Sequence, residues 1–282
     1  MFQDTHLCPD PALWLPLHDD FNLQKIATSG QCFRATPLED GAWRFLHRGH
    51  VLLLQVREGG LLAQCTPEDW DAIWRDYFDL DRSYADLRRR ATGKEPFLQQ
   101  AMDFGAGLRV LRQDPWEMLV TFILSQRKNI PAIARCVETL AARYGEPLEQ
   151  PGEVLYAFPD AEAMRDASET DLRSCGLGYR APYVMDAIAR VCDGRLDLSA
   201  LRELEDAALL SALQETHGVG IKVASCVALF GYGRTACVPI DVWVERVIRE
   251  RCGGRSPFEA FGQEAGILQQ YAFYYQIHQP KP

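Results

Sequence analysis

Lys222 and Asp241 are the two side chains whose types and surroundings point most directly to covalent chemistry. Both lie in the stretch from His217 to Arg246, which reads HGVGIKVASCVALFGYGRTACVPIDVWVER. A Gly218-Val219-Gly220 turn opens into an apolar helical run in which Lys222 is the first charged residue. The positive end of the helix dipole disfavours the ammonium form of a first-turn lysine, which prepares it as an amine nucleophile. Asp241 follows Val238-Pro239-Ile240 and precedes Val242, Trp243 and Val244. That is an N-cap position, where the dipole favours a carboxylate anion. The plain structural alternative is a helix hairpin with a solvated lysine and an ordinary cap, and spacing alone does not separate the two.

The elements around this pair suggest how it is positioned. An amphipathic helix over Leu204 to Gln214 precedes the glycine turn, so the segment reads as helix, tight hairpin, helix. A Gly218–Gly220 turn leading into a helix N-terminus presents backbone N–H groups outward, which suits a phosphate oxygen without a basic side chain. Carbonyls of Gln214, Thr216 and Val219 offer a backbone site for a cation bridging to that phosphate. No side chain demands one.

Upstream, the first hundred residues read as an α+β unit. Ala42 to Phe45, Val51 to Val56 and Leu61 to Cys65 are short apolar segments separated by Arg48-Gly49-His50 and Glu58-Gly59-Gly60, the pattern of antiparallel strands with tight turns. Before them lies TSGQCFR, Thr28 to Arg34; its Gly30 suits close backbone approach to a ligand or, more commonly, a turn at a strand end. Thr66-Pro67-Glu68-Asp69 caps a helix running through Trp70, Trp74 and Phe78, and a second helix covers Tyr84 to Arg90. Beyond about residue 105 no further strands are expected. Asp114-Pro115-Trp116-Glu117 opens a helix that ends near Ser125-Gln126-Arg127-Lys128, and Asn129 caps the next, Ile130 to Arg143. Further helices are predicted at Asp160 to Arg165, Asp171 to Ser174 and Ala181 to Val191, with Tyr179 and Arg180 at the tip of the intervening GLGYR loop.

Composition narrows the functional classes. The formal charge of -9 over 282 residues argues against coating nucleic acid by bulk attraction, though not against a local site. Of the 30 basic residues only five are lysine, so Lys222 is an uncommon choice in an arginine-preferring chain. The nine cysteines show no metal-ligand spacing and read as reduced, mostly buried thiols. No apolar run approaches the roughly 20 residues that cross a membrane, and MFQDTHLCPD has no leader-like regions, so a cytoplasmic protein is expected, nucleoid-associated in a prokaryote.

The run GVGIKVASCVALF followed by VPIDVW resembles the helix-hairpin-helix and GPD motif of DNA glycosylases, with the lysine that marks bifunctional members. TSGQCFR (28–34), LRVLRQDPWEMLVTFILSQRKNI (108–130) and GLGYRA (176–181) resemble the 8-oxoguanine DNA glycosylase family, in that family's order. The resemblance spans nearly the whole chain. It implies an N-terminal α+β domain with an antiparallel sheet over residues 1–104, then a mainly helical glycosylase domain over 105–282 whose C-terminal helix, 264–278, completes a base pocket. An iron-sulfur cluster is not expected, because only Cys252 follows the VPID segment. No cofactor is required, and the expected partner is double-stranded DNA containing 8-oxoguanine, bound by a monomer.

The resemblance also implies residue roles. Lys222 falls on the nucleophile that attacks C1' and forms a Schiff base. Asp241 falls on the carboxylate that stabilises positive charge on the sugar, chemistry that a departing purine calls for. Gln269 and Phe273, four apart in AGILQQYAF, fall on positions that hold the Watson–Crick edge and stack on the base; Gln270 is a competing polar choice. Cys226 falls on the position covering the opposite ring face, and Gly30 on the glycine whose carbonyl accepts from N7–H of 8-oxoguanine. Undamaged guanine has an acceptor at N7 and would meet that carbonyl lone pair to lone pair. Arg127 falls on the side chain that fills the gap left by the flipped base, Arg180 on an arginine that contacts the orphaned partner, and Lys128, Asn129, Gly218 and Gly220 on the DNA-facing surface. Three departures matter: the wedge is Arg127 and not asparagine, Ala132 stands where an arginine reading the opposite cytosine is expected, and Trp243 replaces a histidine beside the scissile nucleotide. The rival functions are an alkylated-base glycosylase of the same superfamily, whose members lack a lysine at position 222, and a non-catalytic DNA-binding protein that keeps the hairpin.

Overall fold

A five-stranded antiparallel sheet forms the N-terminal part of the chain in a computed structural model that describes residues 12–279. The leader-like features sought at the extreme N-terminus, and Cys8, lie outside the described residues. The strands are β1 (Leu13–Pro16), β2 (Ala35–Pro37), β3 (Trp43–His47), β4 (His50–Arg57) and β5 (Gly60–Gln64), in the order β1-β5-β4-β3-β2. The three expected strands are present, and β3 and β4 meet at His47 opposite His50, leaving a two-residue Arg48-Gly49 turn with positive φ at both positions. That geometry matches the twist of the flanking strands. The edge strands β1 and β2 were not foreseen, since Pro16 and Pro37 break their patterns.

Alternation along β4 turns Leu52 and Leu54 inward, where they meet Phe45, Leu61 and Ala63. The other wall comes from α1 (Leu23–Ala27) and a helix in three consecutive pieces, α2 (Pro67–Asp69), a π-helical turn Trp70–Trp74 and α3 (Arg75–Tyr77). The Thr66 hydroxyl accepts from Asp69 N–H at 3.0 Å, the predicted cap. Each fully buried leucine of this core contributes about 1.5–3 kcal/mol. Next, α4 (Tyr84–Ala91) and an unforeseen α5 (Pro96–Phe104) already pack into the helical body rather than against the sheet. Arg109, wholly buried, clamps the junction by donating to the carbonyls of Phe78, Asp20, Asp79 and Arg82 and to the Asp19 carboxylate.

The helical body is built on α6 (Pro115–Ser125) and α11 (Ile221–Tyr232), both apolar on nearly every side and buried accordingly. Their faces meet at Phe122 and Phe230, whose rings stack at 5.4 Å. Asp114 caps α6 as expected, accepting from Trp116 N–H at 2.9 Å and Glu117 N–H at 3.0 Å. Asn129 caps α7 (Ile130–Tyr144) through Ala132 N–H at 2.9 Å. Around this pair lie α8 (Glu169–Ser174), α9 (Ala181–Cys192), α10 (Asp206–Gln214), α12 (Val242–Arg251) and α13 (Ala265–Ile277).

Two expectations need correction. Strands do recur beyond residue 105: β6 (Pro147–Gln150) and β7 (Glu153–Tyr156) form a hairpin with too few apolar residues to show alternation. The predicted helix at Asp160 to Arg165 is a chain of turns, with Met164 N–H bonded to Ala161 and Arg165 N–H to Glu162, so the three-residue spacing never lengthens into an α-helical ladder. No described helix is long and apolar enough to cross a membrane. The cysteines of the described residues are all unpaired, with 32, 136, 175, 226 and 237 buried.

Candidate active site

A cavity of about 370 Å³ opens where α6, α11, the start of α12, α13 and the Gly30 loop converge. Lys222, Cys226, Asp241, Trp243, Gly30, Gln269 and Phe273 all line it, together with Lys128 and Asn129 from the corner between α6 and α7. Residues nearly 250 positions apart in the chain are thus gathered around one space.

Lys222 sits in the first turn of α11, whose N-cap is Gly220 and carries no side-chain cap. Its amine lies 5.3 Å from the centre of the Phe122 ring and forms no ion pair among the described residues. An amine held by an aromatic face and not by a carboxylate is available to attack. One turn on, burial pushes the Cys226 thiol up to about 11, against the opposing influence of the adjacent Lys222. Cys226 is therefore a neutral, poorly nucleophilic wall at neutral pH.

Asp241 is the N-cap of α12, as predicted. Its Oδ1 accepts from Trp243 N–H at 3.0 Å and Val244 N–H at 2.9 Å. Neither bond uses Oδ2, so one carboxylate oxygen serves the helix while the other remains for the cavity. Trp243, half-buried, forms part of the wall beside it.

The two glutamines of α13, which the sequence left in competition, are separated by their partners. Gln270 donates to the Ser29 carbonyl at 2.8 Å and is thereby committed to the chain. Gln269 is 3% exposed, and its Oε1 is buried with no hydrogen-bond partner. A buried orphan amide costs about 1–3 kcal/mol, which a ligand in the cavity would recover. Gly30 adopts φ +78, and a Cβ there would come within 3.1 Å of the Phe273 ring. It follows α1 and precedes β2 by a bend, so it is not the strand-ending glycine of the commoner reading.

The corner that brings Ser125, Lys128 and Asn129 to the cavity also carries Arg127 and is tied to the hairpin. Arg127 is exposed, has φ +53 and makes no hydrogen bond or ion pair among the described residues. Left-handed backbone at a non-glycine residue costs about 1–2 kcal/mol. Lys128 instead donates to the Gly176 carbonyl at 2.6 Å and to Cys136 Sγ at 3.2 Å. Arg180 was expected with Tyr179 at a loop tip, but Tyr179 is exposed and Arg180 is buried. Arg180 turns inward, donates to the Gln126 and Leu177 carbonyls and stacks over Tyr179 at 4.3 Å. The reason is physical: the last carbonyls of α6 need donors, and the guanidinium supplies them. The Gln126 side chain in turn donates to the Gly218 carbonyl at 3.1 Å, linking corner to hairpin. Gly218 has φ +80 and lies so close under the Tyr183 ring that a Cβ would meet it at 2.4 Å. Gly220 faces open space, which leaves the first N–H groups of α11 accessible.

Of the carbonyls suggested for a cation, that of Thr216 accepts from Val219 N–H at 3.0 Å, while the Thr216 hydroxyl is buried without a partner. Such neutral oxygens suit a weakly held cation or a water. Among the described residues, no group of three or more His, Cys, Asp and Glu side chains could hold a metal.

Charge is distributed in a way that composition conceals. Most arginines are tied to carboxylates of the chain itself, as in Arg34–Glu138, Arg88–Asp20, Arg112–Asp79 and Arg190–Asp186. Arg127, Lys128, Arg180 and Lys222, around the cavity and its corner, have no acidic partner among the described residues. The net charge is negative, yet the cations left free of acids include those surrounding this site.

A sheet domain beside a helix-hairpin-helix body, with a lysine and an aspartate opening on one cavity, defines a class of base-excision repair protein. Residues 15–119 match the 8-oxoguanine DNA glycosylase N-terminal domain, and residues 120–257 match the HhH-GPD superfamily of base excision DNA repair proteins. The fold is similar to that of MBOgg1 in complex with a low affinity DNA ligand, at TM-score 0.87 and 34% identity over 95% of this chain and 99% of that one. It is also similar to the Clostridium acetobutylicum 8-oxoguanine glycosylase/lyase bound to DNA with cytosine opposite 8-oxoguanine, at TM-score 0.86 and 31% identity over 93% and 97% of the two chains. A probable N-glycosylase/DNA lyase of Methanothermobacter thermautotrophicus is 27% identical over 90% of this chain and 93% of its own. The chain belongs to the 8-oxoguanine glycosylase branch of the HhH-GPD base-excision repair glycosylases.

Proposed function

We propose that the protein is a bifunctional DNA glycosylase and AP lyase that removes 8-oxoguanine from duplex DNA. The observation that carries this reading is the single cavity shared by Lys222, Asp241, Gly30, Cys226, Gln269 and Phe273. A flipped purine would lie between Phe273 and Cys226, with its Watson–Crick edge on the Gln269 amide and its N7–H on the Gly30 carbonyl. The Lys222 amine attacks C1' as the bond from C1' to N9 breaks, and the electron pair leaves with the base, which takes up the proton that the attacking nitrogen gives up. The Asp241 carboxylate stabilises positive charge on the sugar meanwhile. Breaking the bond from C1' to O4' then gives the Schiff base, and loss of a 2' proton expels the 3' phosphate. Free N–H groups at the start of α11 would hold a backbone phosphate, and Arg127 would fill the vacated stack. Arg180 would brace the corner from beneath until it is released from Gln126.

Borohydride treatment of the protein with duplex DNA containing 8-oxoguanine is the test: a covalent protein–DNA adduct is expected, and none forms if the protein is a monofunctional alkylated-base glycosylase or a non-catalytic DNA binder. A second expectation concerns the opposite base. Ala132 has no hydrogen-bond donor on its side chain to read cytosine. Cleavage opposite cytosine and opposite adenine should therefore differ by less than about tenfold, because a missing bidentate contact forfeits roughly 1–3 kcal/mol of discrimination. Single-turnover rates on the two duplexes measure this, and a strong cytosine preference overturns it.

A further inference from the structure

The Gly30 loop is pinned by three buried glutamines from three parts of the chain. The Gln31 side chain donates to Ser29 Oγ at 2.8 Å and to the Arg109 carbonyl at 2.7 Å, and accepts from Leu111 N–H at 2.8 Å. Gln113 donates to the Gln31 carbonyl at 2.8 Å, while its own N–H bonds to the Phe230 carbonyl on α11 at 2.7 Å. Gln270 donates to the Ser29 carbonyl at 2.8 Å from α13. The carbonyls on either side of Gly30 are thus occupied, and none of the hydrogen bonds among the described residues ends on the Gly30 carbonyl itself.

This arrangement has a chemical use. With φ at +78, Gly30 is at a position where the backbone turns over easily. Rotation of the peptide joining Gly30 to Gln31 would put the Gln31 N–H where the Gly30 carbonyl stands, and that N–H would donate to the bare N7 of undamaged guanine and oppose N7–H of the oxidised base. The bonds to Ser29 and Gln31 fix the two flanks of that peptide. We infer that Gln270 is a positioning residue for damage discrimination, holding the Ser29 carbonyl so that Gly30 presents an acceptor to the base, while its neighbour Gln269 contacts the base directly. Gln270 also ties the loop to the helix that carries Phe273, so both walls of the base site shift together.

The inference rests on the 8-oxoguanine reading above. Its test uses the full chain and non-cleavable duplexes carrying 2'-fluoro-8-oxodeoxyguanosine or 2'-fluorodeoxyguanosine, with Kd measured for each. Gln270→Met, close in volume but without a donor, is expected to shrink the preference for the oxidised base by about tenfold. Cleavage of a preformed abasic site, which offers no base to read, should stay within about twofold of the parent protein. Should the methionine variant fail to fold, Gln270→Glu takes its place: the preference should be weak where the carboxylate is ionised and recover as pH falls and a protonated carboxyl donates to Ser29. An unchanged preference in either variant, or abasic-site cleavage falling in step with it, overturns the role of Gln270 alone. A parent protein with no preference for the oxidised base overturns it together with the proposed function.

Discussion

Lys222→Gln is expected to abolish the borohydride-trapped adduct and to lower base release by about 10³-fold or more, as loss of a covalent nucleophile does. Folding should persist. Glutamine matches lysine in helix propensity, and the position is half-buried at the first turn of α11, so the main structural loss is the contact with the Phe122 ring, about 0.5–1 kcal/mol. Affinity for a non-cleavable duplex should change little if, as proposed, phosphate is held at the hairpin by backbone N–H groups beyond Gly220. Single-turnover excision, trapping and duplex binding measured on one preparation decide the matter. An adduct that survives in Lys222→Gln places the nucleophile elsewhere.

Asp241→Asn separates the two duties of the aspartate. Asparagine caps helices as well as aspartate does, so both bonds to Trp243 and Val244 can be kept. The loss in stability should be no more than the dipole contribution of a charge at a helix start, about 0.3–1 kcal/mol. Base release, by contrast, should fall by about 10²–10³-fold because the cationic sugar loses its counter-charge. Thermal denaturation beside single-turnover kinetics measures both. Asp241→Ala, which removes the cap as well, should add about 1 kcal/mol of destabilisation. A variant Asp241→Asn that unfolds, or one that excises normally, shows that capping was the residue's main work.

That Lys222 and Asp241 stand at two helix starts was legible in the sequence because both residues announce themselves locally. Lys222 stands directly after a glycine turn, Asp241 directly before an apolar helix, and helix-start chemistry reads over three or four residues. The caps at Thr66, Asp114 and Asn129 were legible for the same reason. What distinguished Gln269 from Gln270 lay in Ser29, some 240 residues away, and no periodicity on α13 could supply it because both side chains are buried. Arg180 looked like an exposed tip because a loop of glycines and polar residues usually is one; its partner, the Gln126 carbonyl, belongs to the end of another helix. The β6–β7 hairpin escaped because prolines, glutamates and glutamines hide a strand that exists mainly by pairing with itself and with Arg34 and Arg44.

The pairing of most arginines with the protein's own carboxylates bears on how such a molecule moves over a chromosome. Each phosphate neutralised on duplex DNA releases close to one condensed counterion, so a protein with only a handful of free cations at its contact face has a shallow dependence of affinity on salt. On the proposed reading it would hold intact duplex with an affinity that changes little with ionic strength. A long dwell would then be reserved for a site where an extruded base fills the cavity, where buried groups such as the Gln269 amide would first find a partner. Search speed and lesion retention would thus be set by different atoms, and substitutions at the surface could alter the first without touching the second.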